Sequence, residues 1–224
     1  MTGEGKNDAI FFTVLIKSIL GNVNIATLPK DRQSSNLASF LNCLGQNCSF
    51  QKAYYKYFVY GDNGRPGYLK LEYPRILSLI ITRFRENTLY LFTEDSDNYD
   101  NGVLQRNWKE NTISTLNNRR FFGRSPNYNS SSIGMLKIEM KNNNFIKINH
   151  CLIPNSLEFQ VASVHMEENR LDIENYEHMD RHDFLREVST KLEIEEKELI
   201  RLSFDLLQNE NWVRVISRLI ENFI

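Results

Sequence analysis

The stretch EKELIRLSFDLLQNENWVRVISRLIENFI, residues 196–224, contains fourteen large apolar residues. Its apolar residues recur at spacings of three and four, and neither glycine nor proline occurs from residue 172 onward. This pattern predicts helices with breaks near Glu193 and near residues 209–211, and with Asn211 as the N-cap of the last helix. The apolar arc of the first of these helices is wider than the arc of about 100° that a surface helix needs.

The surplus apolar surface of these helices must be covered, and two coverings are open. The rest of the same chain could cover it, in a single α+β domain. Alternatively a second copy or another protein covers it, because large exposed apolar patches seldom persist in monomers. We favour the second covering, which predicts a helical self-association domain at residues 172–224. Its dimer-interface candidates are Leu199, Leu202, Phe204, Leu206, Trp212, Val215, Ile216, Leu219 and Phe223.

The preceding residues, 1–168, are predicted to form a β-rich, partner-binding region. Short apolar or alternating runs between turn residues are typical of strands. The fold class is therefore α+β, with barrel-like antiparallel strands followed by the small helical domain. The polar residues 94–132 are predicted to form a mobile insertion or linker. Strands are predicted at 9–21, 22–29, 76–84, 87–92, 135–140, 145–153 and 157–166, with two more around loop 61–67 within 52–73, and a helix is predicted at 37–45.

Composition and charge limit the function classes. With 41% hydrophobic residues, the chain has the composition of an ordinary globular protein. Its 27 basic and 28 acidic residues leave a net charge of −1, whereas a protein that lives by phosphate contacts carries a basic excess. Three cysteines, Cys43, Cys48 and Cys151, indicate a reducing compartment. The apolar run at residues 9–21 is too short to cross a bilayer, so no membrane association is expected.

No motif with catalytic or metal-binding chemistry stands out in the sequence, and we expect neither enzymatic activity nor a cofactor. His178 and His182 are four residues apart but have no third ligand, and Cys43, Cys48 and the pair His150–Cys151 are better explained as buried groups. Residues 97–102 begin like a calcium loop, but the twelfth position is Trp108 rather than glutamate. Loop 61–67 lacks the ending of a phosphate-binding loop. A hydrolase whose site forms only in the fold remains an alternative.

One short segment is locally basic and aromatic: RRFFGRSP, residues 119–126. Arg119, Arg120 and Arg124 flank two phenylalanines that could stack on bases. A second candidate function is therefore single-stranded nucleic-acid binding through residues 119–124. Ser125, which precedes Pro126, is a candidate regulatory phosphosite.

The order of features along the chain resembles a known family. NVNIATLP is followed by KAYYKYF, then by IITRFRENTLYLF, by VHMEENRLDI and by EKELIRLSFDLL. This succession is similar to the fungal Sld-seven family, the companion of the replication-initiation factor Sld-three. The closest stretches are residues 84–88, 164–173 and 199–205, and none of them is a chemical motif.

The resemblance implies a non-enzymatic adaptor. A β-rich domain would bind an Sld-three-like factor, and the helical domain would self-associate and so join two copies of the pair. The complex would assist recruitment of Cdc-forty-five to replication origins and would reach DNA only through its partners. The expected location is the nucleus, with the cytoplasm or spindle pole as further possibilities.

Overall fold

The structure is a computed structural model that describes residues 1–3, 5–28, 57–61, 68–84, 86–97, 99–118, 126–140 and 143–223. This part of the chain forms a mixed seven-stranded sheet with helices on both faces. The strands are β1 (Thr2–Gly3), β2 (Ile25–Leu28), β3 (Tyr57–Gly61), β4 (Thr88–Asp95), β5 (Tyr128–Ser132), β6 (Met135–Glu139) and β7 (Phe145–Ile153). The helices are α1 (Lys6–Leu20), α2 (Tyr73–Arg83), α3 (Asn101–Leu116), α4 (Leu157–Glu168), α5 (Arg181–Leu192), α6 (Glu196–Leu207) and α7 (Asn211–Glu221).

The strand order is β2-β3-β1-β4-β7-β6-β5. The first five strands of this order are mutually parallel, and only β6 and β5 extend the sheet in antiparallel fashion. The predicted barrel of antiparallel strands was therefore wrong. The strands run parallel because helices connect them. A helical crossover returns the chain to the same end of the sheet, so the next strand runs in the same direction.

Each face of the sheet has its own apolar cluster. One cluster joins α2 and α3 to the sheet and contains the fully buried Trp108 and Tyr73. The other contains side chains from α1 and from α4 to α7, packed on Val59, Leu91 and Ile153 of the sheet. The described part of the chain is thus a three-layer α/β arrangement, in which α1 and α4 to α7 lie on one face and α2 and α3 on the other.

The apolar run at residues 9–21 is a helix, where the sequence had predicted a strand. Phe11, Phe12, Leu15 and Ile16 are all buried and lie on one side of α1, the spacing of an amphipathic helix. A continuous apolar run does not distinguish a buried strand from a buried helix. The helix ends at Gly21, whose φ of +74° suits glycine.

Two further predicted strands, residues 76–84 and 157–166, are also helical. The first forms α2, which has Pro74 in its first turn, where proline is well tolerated. The second forms α4, which Ser156 caps by accepting from the Phe159 N–H at 3.1 Å. The second strand expected within 52–73 is replaced by a single π-helical turn, Tyr68–Glu72, leading into α2.

Residues 94–132, predicted as a mobile linker, contain ordered structure wherever they are described. They include the end of β4, all of α3 and the strand β5. In α3, Leu104, Trp108 and Leu116 are buried at helical spacing, and Asp100 caps the helix by accepting from the Val103 N–H at 2.9 Å. In α3 itself, exposed polar residues such as Arg106, Asn107 and Glu110 lie on the solvent face.

Several predictions were confirmed. Strands occur within 22–29, 52–73, 135–140 and 145–153, and β4 begins within 87–92 and extends to Asp95. Three helices lie between Arg181 and Glu221, with breaks at Glu193 and before Asn211. The last helix begins at Asn211 itself, one residue earlier than an N-cap there would give, and Glu210 precedes it. The helix predicted at 37–45 lies outside the described residues.

The C-terminal helices do not have an apolar core of their own. Their buried side chains lie in the same cluster as those of α1 and α4. Trp212 of α7 packs on Phe11 of α1 with ring centroids 5.5 Å apart, and Phe204 of α6 lies 6.4 Å from the same ring. Between α4 and α6, His165 Nε2 is 3.1 Å from the Leu199 carbonyl oxygen, and burial lowers the pKa of His165. The first of the two coverings considered above therefore accounts for most of the apolar arc.

Candidate functional site

The β1–α1 junction lies at the carboxyl edge of the parallel strands, where ligands bind in many α/β proteins. Gly3 ends β1 and Gly5 directly precedes α1, and such a glycine pair between strand and helix is the placement of a phosphate-binding turn. Sequence reasoning missed this junction because it assigned the following residues to a strand. The signal that could have found it is the pair of glycines two apart, immediately before a helical apolar pattern.

The chemistry of this junction, however, is that of close packing. The Gly5 N–H donates to Asp8, 2.8 Å from Oδ2, so a carboxylate of the chain already lies at the positive end of α1. A side chain at Gly3 would place its Cβ 2.5 Å from the Asp8 Cβ, and one at Gly61 would overlap the Gly5 carbonyl oxygen. The close approach of β1, β3 and α1 therefore explains Gly3 and Gly61. The negative charge that the N-terminus of α1 favours comes from Asp8.

A buried histidine–carboxylate pair joins the two neighbouring strands β4 and β7. His150 Nε2 lies 2.8 Å from Glu94 Oε2, and the two side chains are 0% and 3% exposed. Trp108 of α3 stacks on the imidazole with centroids 5.2 Å apart, and Phe92 lies at the same distance. In many enzymes such a pair orients a general base. Here the aromatic rings seal it from solvent, so the two groups form a buried polar contact between β4 and β7 beneath α3.

Charged groups at the same edge tie the C-terminal helices to the sheet. Arg181, in the first turn of α5, lies 3.3 Å from Asp95, the last residue of β4, and 2.5 Å from Asp97, two residues beyond it. Glu158 of α4 accepts from the Asn7 amide of α1 at 2.8 Å. These contacts fix α4 and α5 over the carboxyl ends of the strands.

Among the described residues, the possible metal ligands of the sequence are not brought together. His178 lies in a 3-10 turn and His182 in the first turn of α5, so the two do not share one helical face. His150 and Cys151 point to opposite faces of the sheet, as neighbours on a strand do. Burial raises the pKa of the Cys151 thiol to about 12, so the thiolate form that binds metals is disfavoured. Over the described residues, no group of three or more His, Cys, Asp or Glu side chains could hold a metal ion.

The nine interface candidates divide into three groups by exposure. Buried within the chain are Leu199, Trp212 and Ile216, at 0%, 6% and 1% exposure. Partly buried are Phe204, Leu206, Leu219 and Phe223. Only Leu202, at 47%, and Val215, at 45%, are substantially exposed. The buried three cannot contact a second copy unless the core opens, so any interface must use the outer edges of the two helices.

The outer edge of α6 consists of Leu202 and Leu206, four residues apart and therefore on one side of the helix. The remainder of the apolar arc of α6 is covered by α1 and α4. The outer edge of α7 consists of Val215 and Leu219 in the same spacing. The two edges have similar composition, and the second borders a cavity whose lining does not include Leu202 or Leu206.

That cavity is a groove of about 550 Å³ between α7 and the end of β7, which we call the α7 groove. Its volume falls in the range of about 300–1,000 Å³ that is usual for binding sites. The turn between β5 and β6 and the first turns of α3 complete its walls. Its apolar lining includes Ile133, Met135, Leu152, Pro154, Trp212, Val215 and Leu219, and its polar lining includes Asn101, Gln105, Lys147, Glu210 and Asn211.

Part of the groove lining is apolar surface in contact with water. Ile133 is 41% exposed and Val215 is 45% exposed, and they are two of the most exposed large apolar residues in the described part of the chain. Sequence reasoning identified Val215 but not Ile133. Ile133 stands alone between polar residues in a turn, and no periodicity marks it.

The remaining sequence candidates lie outside the described residues. They are Cys43, Cys48, Arg119, Arg120, Arg124 and Ser125. Within the described ranges, none of the helices combines the length and apolar character needed to span a bilayer.

Comparison with known proteins gives no family: no family model, no curated protein and no solved structure matches the chain. The resemblance noted above therefore stays a prediction.

Proposed function

We propose that the protein is a non-enzymatic adaptor that binds a partner protein in the α7 groove and associates with a second copy through the outer edge of α6. Following the resemblance, the partner is an Sld-three-like factor, and the process is initiation of chromosomal DNA replication in the nucleus. The protein contacts DNA only through such partners, in keeping with its net charge of −1.

The observation that carries the proposal is the exposed apolar surface of the α7 groove. Burying a whole Val or Ile side chain stabilises by about 1.5–3 kcal/mol, at about 25 cal/mol per Å² of apolar surface. One such side chain therefore has an apolar surface of roughly 60–120 Å² by this conversion. The exposed fractions of Ile133 and Val215, 41% and 45%, then amount to about 50–100 Å² together, worth roughly 1–2.5 kcal/mol when covered. Adding the half-buried Met135, Leu152 and Leu219 makes this a usable docking surface.

Substitution of Val215 tests the groove directly. Val215→Asp is expected to weaken partner binding by about 2 kcal/mol or more, roughly 30-fold, because the interface would then bury an unpaired carboxylate. The measurement is titration calorimetry of the purified chain with the N-terminal part of the Sld-three-like factor from the same source. Because Val215 is 45% exposed, the variant should keep its fold, which far-ultraviolet circular dichroism checks.

Leu202→Asp is the matched control for this experiment. Leu202 has nearly the same exposure, 47%, and receives the same charge, but it lies on α6 and does not line the groove. It should bind the partner as the native chain does. If both variants lose the same affinity for the partner, the contact is not specific to the groove. If the native chain does not bind the Sld-three-like factor, that factor is not the partner.

Self-association is tested by the same pair of variants with a different measurement. Leu202→Asp is expected to convert a dimer into a monomer, because it places a charge at the apolar edge formed with Leu206. Light scattering coupled to size exclusion at several concentrations gives the mass. Val215→Asp should stay dimeric. A native chain that is monomeric at high micromolar concentration would show that no such dimer forms.

A further inference from the structure

Strand β7 extends past the start of its neighbour β6. Met135, the first residue of β6, lies opposite Asn149, and the last ladder contact on this side is the His150 N–H donating to the Gly134 carbonyl oxygen at 2.9 Å. On the other side, β7 continues beside β4 as far as Ile153. The end of β7 therefore has a neighbouring strand on one side only, among the strands that the structure describes.

The free side of β7 faces the α7 groove. Backbone groups along a strand alternate between its two neighbours. The Ile153 carbonyl accepts from the Ser96 N–H on the β4 side, whereas the His150 N–H donates on the β6 side. The backbone N–H and C=O groups of the even-numbered residues of β7 therefore point toward β6. The N–H and C=O of Leu152 accordingly point away from β4, and Leu152 lines the groove.

The two faces at this edge of the sheet differ in character. Odd-numbered residues of β7 such as Cys151 and Ile153 face the cluster that contains α7, and α7 contributes Val215 and Leu219 to the groove. On the opposite face, α3 contributes the polar Asn101 and Gln105. A strand lying beside Leu152 would point successive side chains to opposite faces. One set would meet the apolar edge of α7 and the other set the amide side chains of α3.

The size of the groove favours a short segment over a second folded copy. A standard interface covers about 800 Å² on each partner. A folded copy could reach only the rim of a groove of about 550 Å³, where the exposed apolar surface of Ile133 and Val215 is about 50–100 Å² by the same conversion as above. Such a surface suits a few residues of extended chain, whose main-chain hydrogen bonds supply the remaining affinity.

We propose that the α7 groove takes a short extended segment of the partner protein, with alternating apolar and polar residues, which adds to β7 as a strand at Leu152. The inference rests on the proposed function and specifies how that partner is recognised. The apolar residues of the segment pack on Val215 and Leu219. Its polar residues form hydrogen bonds with Gln105 and Asn101.

The test uses defined peptides and the full chain. The probes are fluorescein-labelled octapeptides in which Val or Leu alternates with Gln or Ser. Peptides of the same composition with apolar residues at helical spacing serve as controls, and binding is followed by fluorescence anisotropy. Alternating peptides should bind about tenfold more tightly than the controls, because only they match both faces of the edge. Equal binding of both sets, or binding of neither, overturns the inference.

Methylation of single peptide nitrogens in the best alternating peptide removes one N–H donor at a time without altering the protein. Binding should fall about tenfold or more when the residue paired with Leu152 is methylated, and little when the next residue is methylated. A loss that is the same at every position contradicts strand addition. Val215→Asp should abolish peptide binding, and Leu202→Asp should leave it unchanged.

The outcomes separate this inference from the proposed function. If Val215→Asp weakens binding of the partner protein as expected but alternating peptides show no advantage, strand addition is wrong and the adaptor function stands. If alternating peptides bind with the expected methylation pattern but the Sld-three-like factor does not bind, the groove mechanism stands and the replication partner is wrong.

Discussion

Replacement of Trp212 by alanine is expected to lower the free energy of unfolding of the whole chain by about 3–5 kcal/mol, the usual cost of truncating a buried aromatic side chain. Trp212 is 6% exposed, and its ring lies 5.5 Å from that of Phe11 in α1. The lost contact joins the last helix to the first, so it stabilises the N-terminal and C-terminal halves together.

The variant carries its own reporter of this coupling. The chain has two tryptophans, so Trp212→Ala leaves Trp108 alone, which is fully buried on the opposite face of the sheet. In a urea titration, the unfolding midpoint followed by Trp108 fluorescence should be lower than in the native chain. It should coincide with the midpoint followed by circular dichroism. Trp212→Phe, which also leaves only Trp108 but keeps an aromatic ring, should lose much less stability.

A different result would show that residues 172–224 form a domain separate from the rest of the chain. If residues 172–224 fold independently, Trp212→Ala should leave the midpoint seen by Trp108 unchanged while circular dichroism shows an earlier, separate transition. The expected single transition follows from the one apolar cluster that contains α1, α4 and the three C-terminal helices.

The interpretation of the C-terminal helices shows where sequence reasoning succeeded and failed. The wide apolar arc of residues 196–207 was identified correctly, as was the need for a cover. The helix that supplies much of that cover, α1, was assigned to a strand, because its apolar run gives no clear period. With residues 9–21 assigned to a strand, the helix that packs on α6 and α7 was missed, and a second molecule stayed the favoured cover.

Other elements follow the same division. Strands were predicted correctly where residues alternate or are β-branched, as at 135–139 and 145–153, because that pattern is specific to a half-buried strand. Residues 76–83 and 157–166 are apolar enough to suit either state, and their helical state is set by Pro74, by the cap at Ser156 and by packing. Local pattern cannot supply those long-range contacts.

The candidate site was still less accessible to sequence reasoning. The α7 groove is built from the starts of α3 and α7, the β5–β6 turn and the end of β7, which are brought together only by the strand order. Glu94 and His150 are separated by 56 residues and meet because β4 and β7 are neighbours in register. Strand order depends on crossovers and not on any local signal, so neither feature has a sequence signature.

The second large effect concerns this buried pair. His150→Leu is expected to lower the free energy of unfolding by about 1–3 kcal/mol, because the buried Glu94 carboxylate loses the imidazole nitrogen that lies 2.8 Å from its Oε2. The Glu94 side chain is only 3% exposed, so water cannot readily replace the imidazole. The measurement is again urea unfolding. His182→Leu, which changes an exposed histidine on α5, is the matched control and should alter stability little.

A double-mutant cycle identifies the cause of the loss. Glu94→Leu together with His150→Leu should be less destabilising than the sum of the two single changes, because two apolar side chains of similar volume can replace a buried pair at small cost. A coupling of about 1–3 kcal/mol is expected for side chains in direct contact. Strictly additive losses would mean that the 2.8 Å contact contributes little. The imidazole would then act through its stacking on Trp108, and His150→Phe should retain most of the stability that His150→Leu loses.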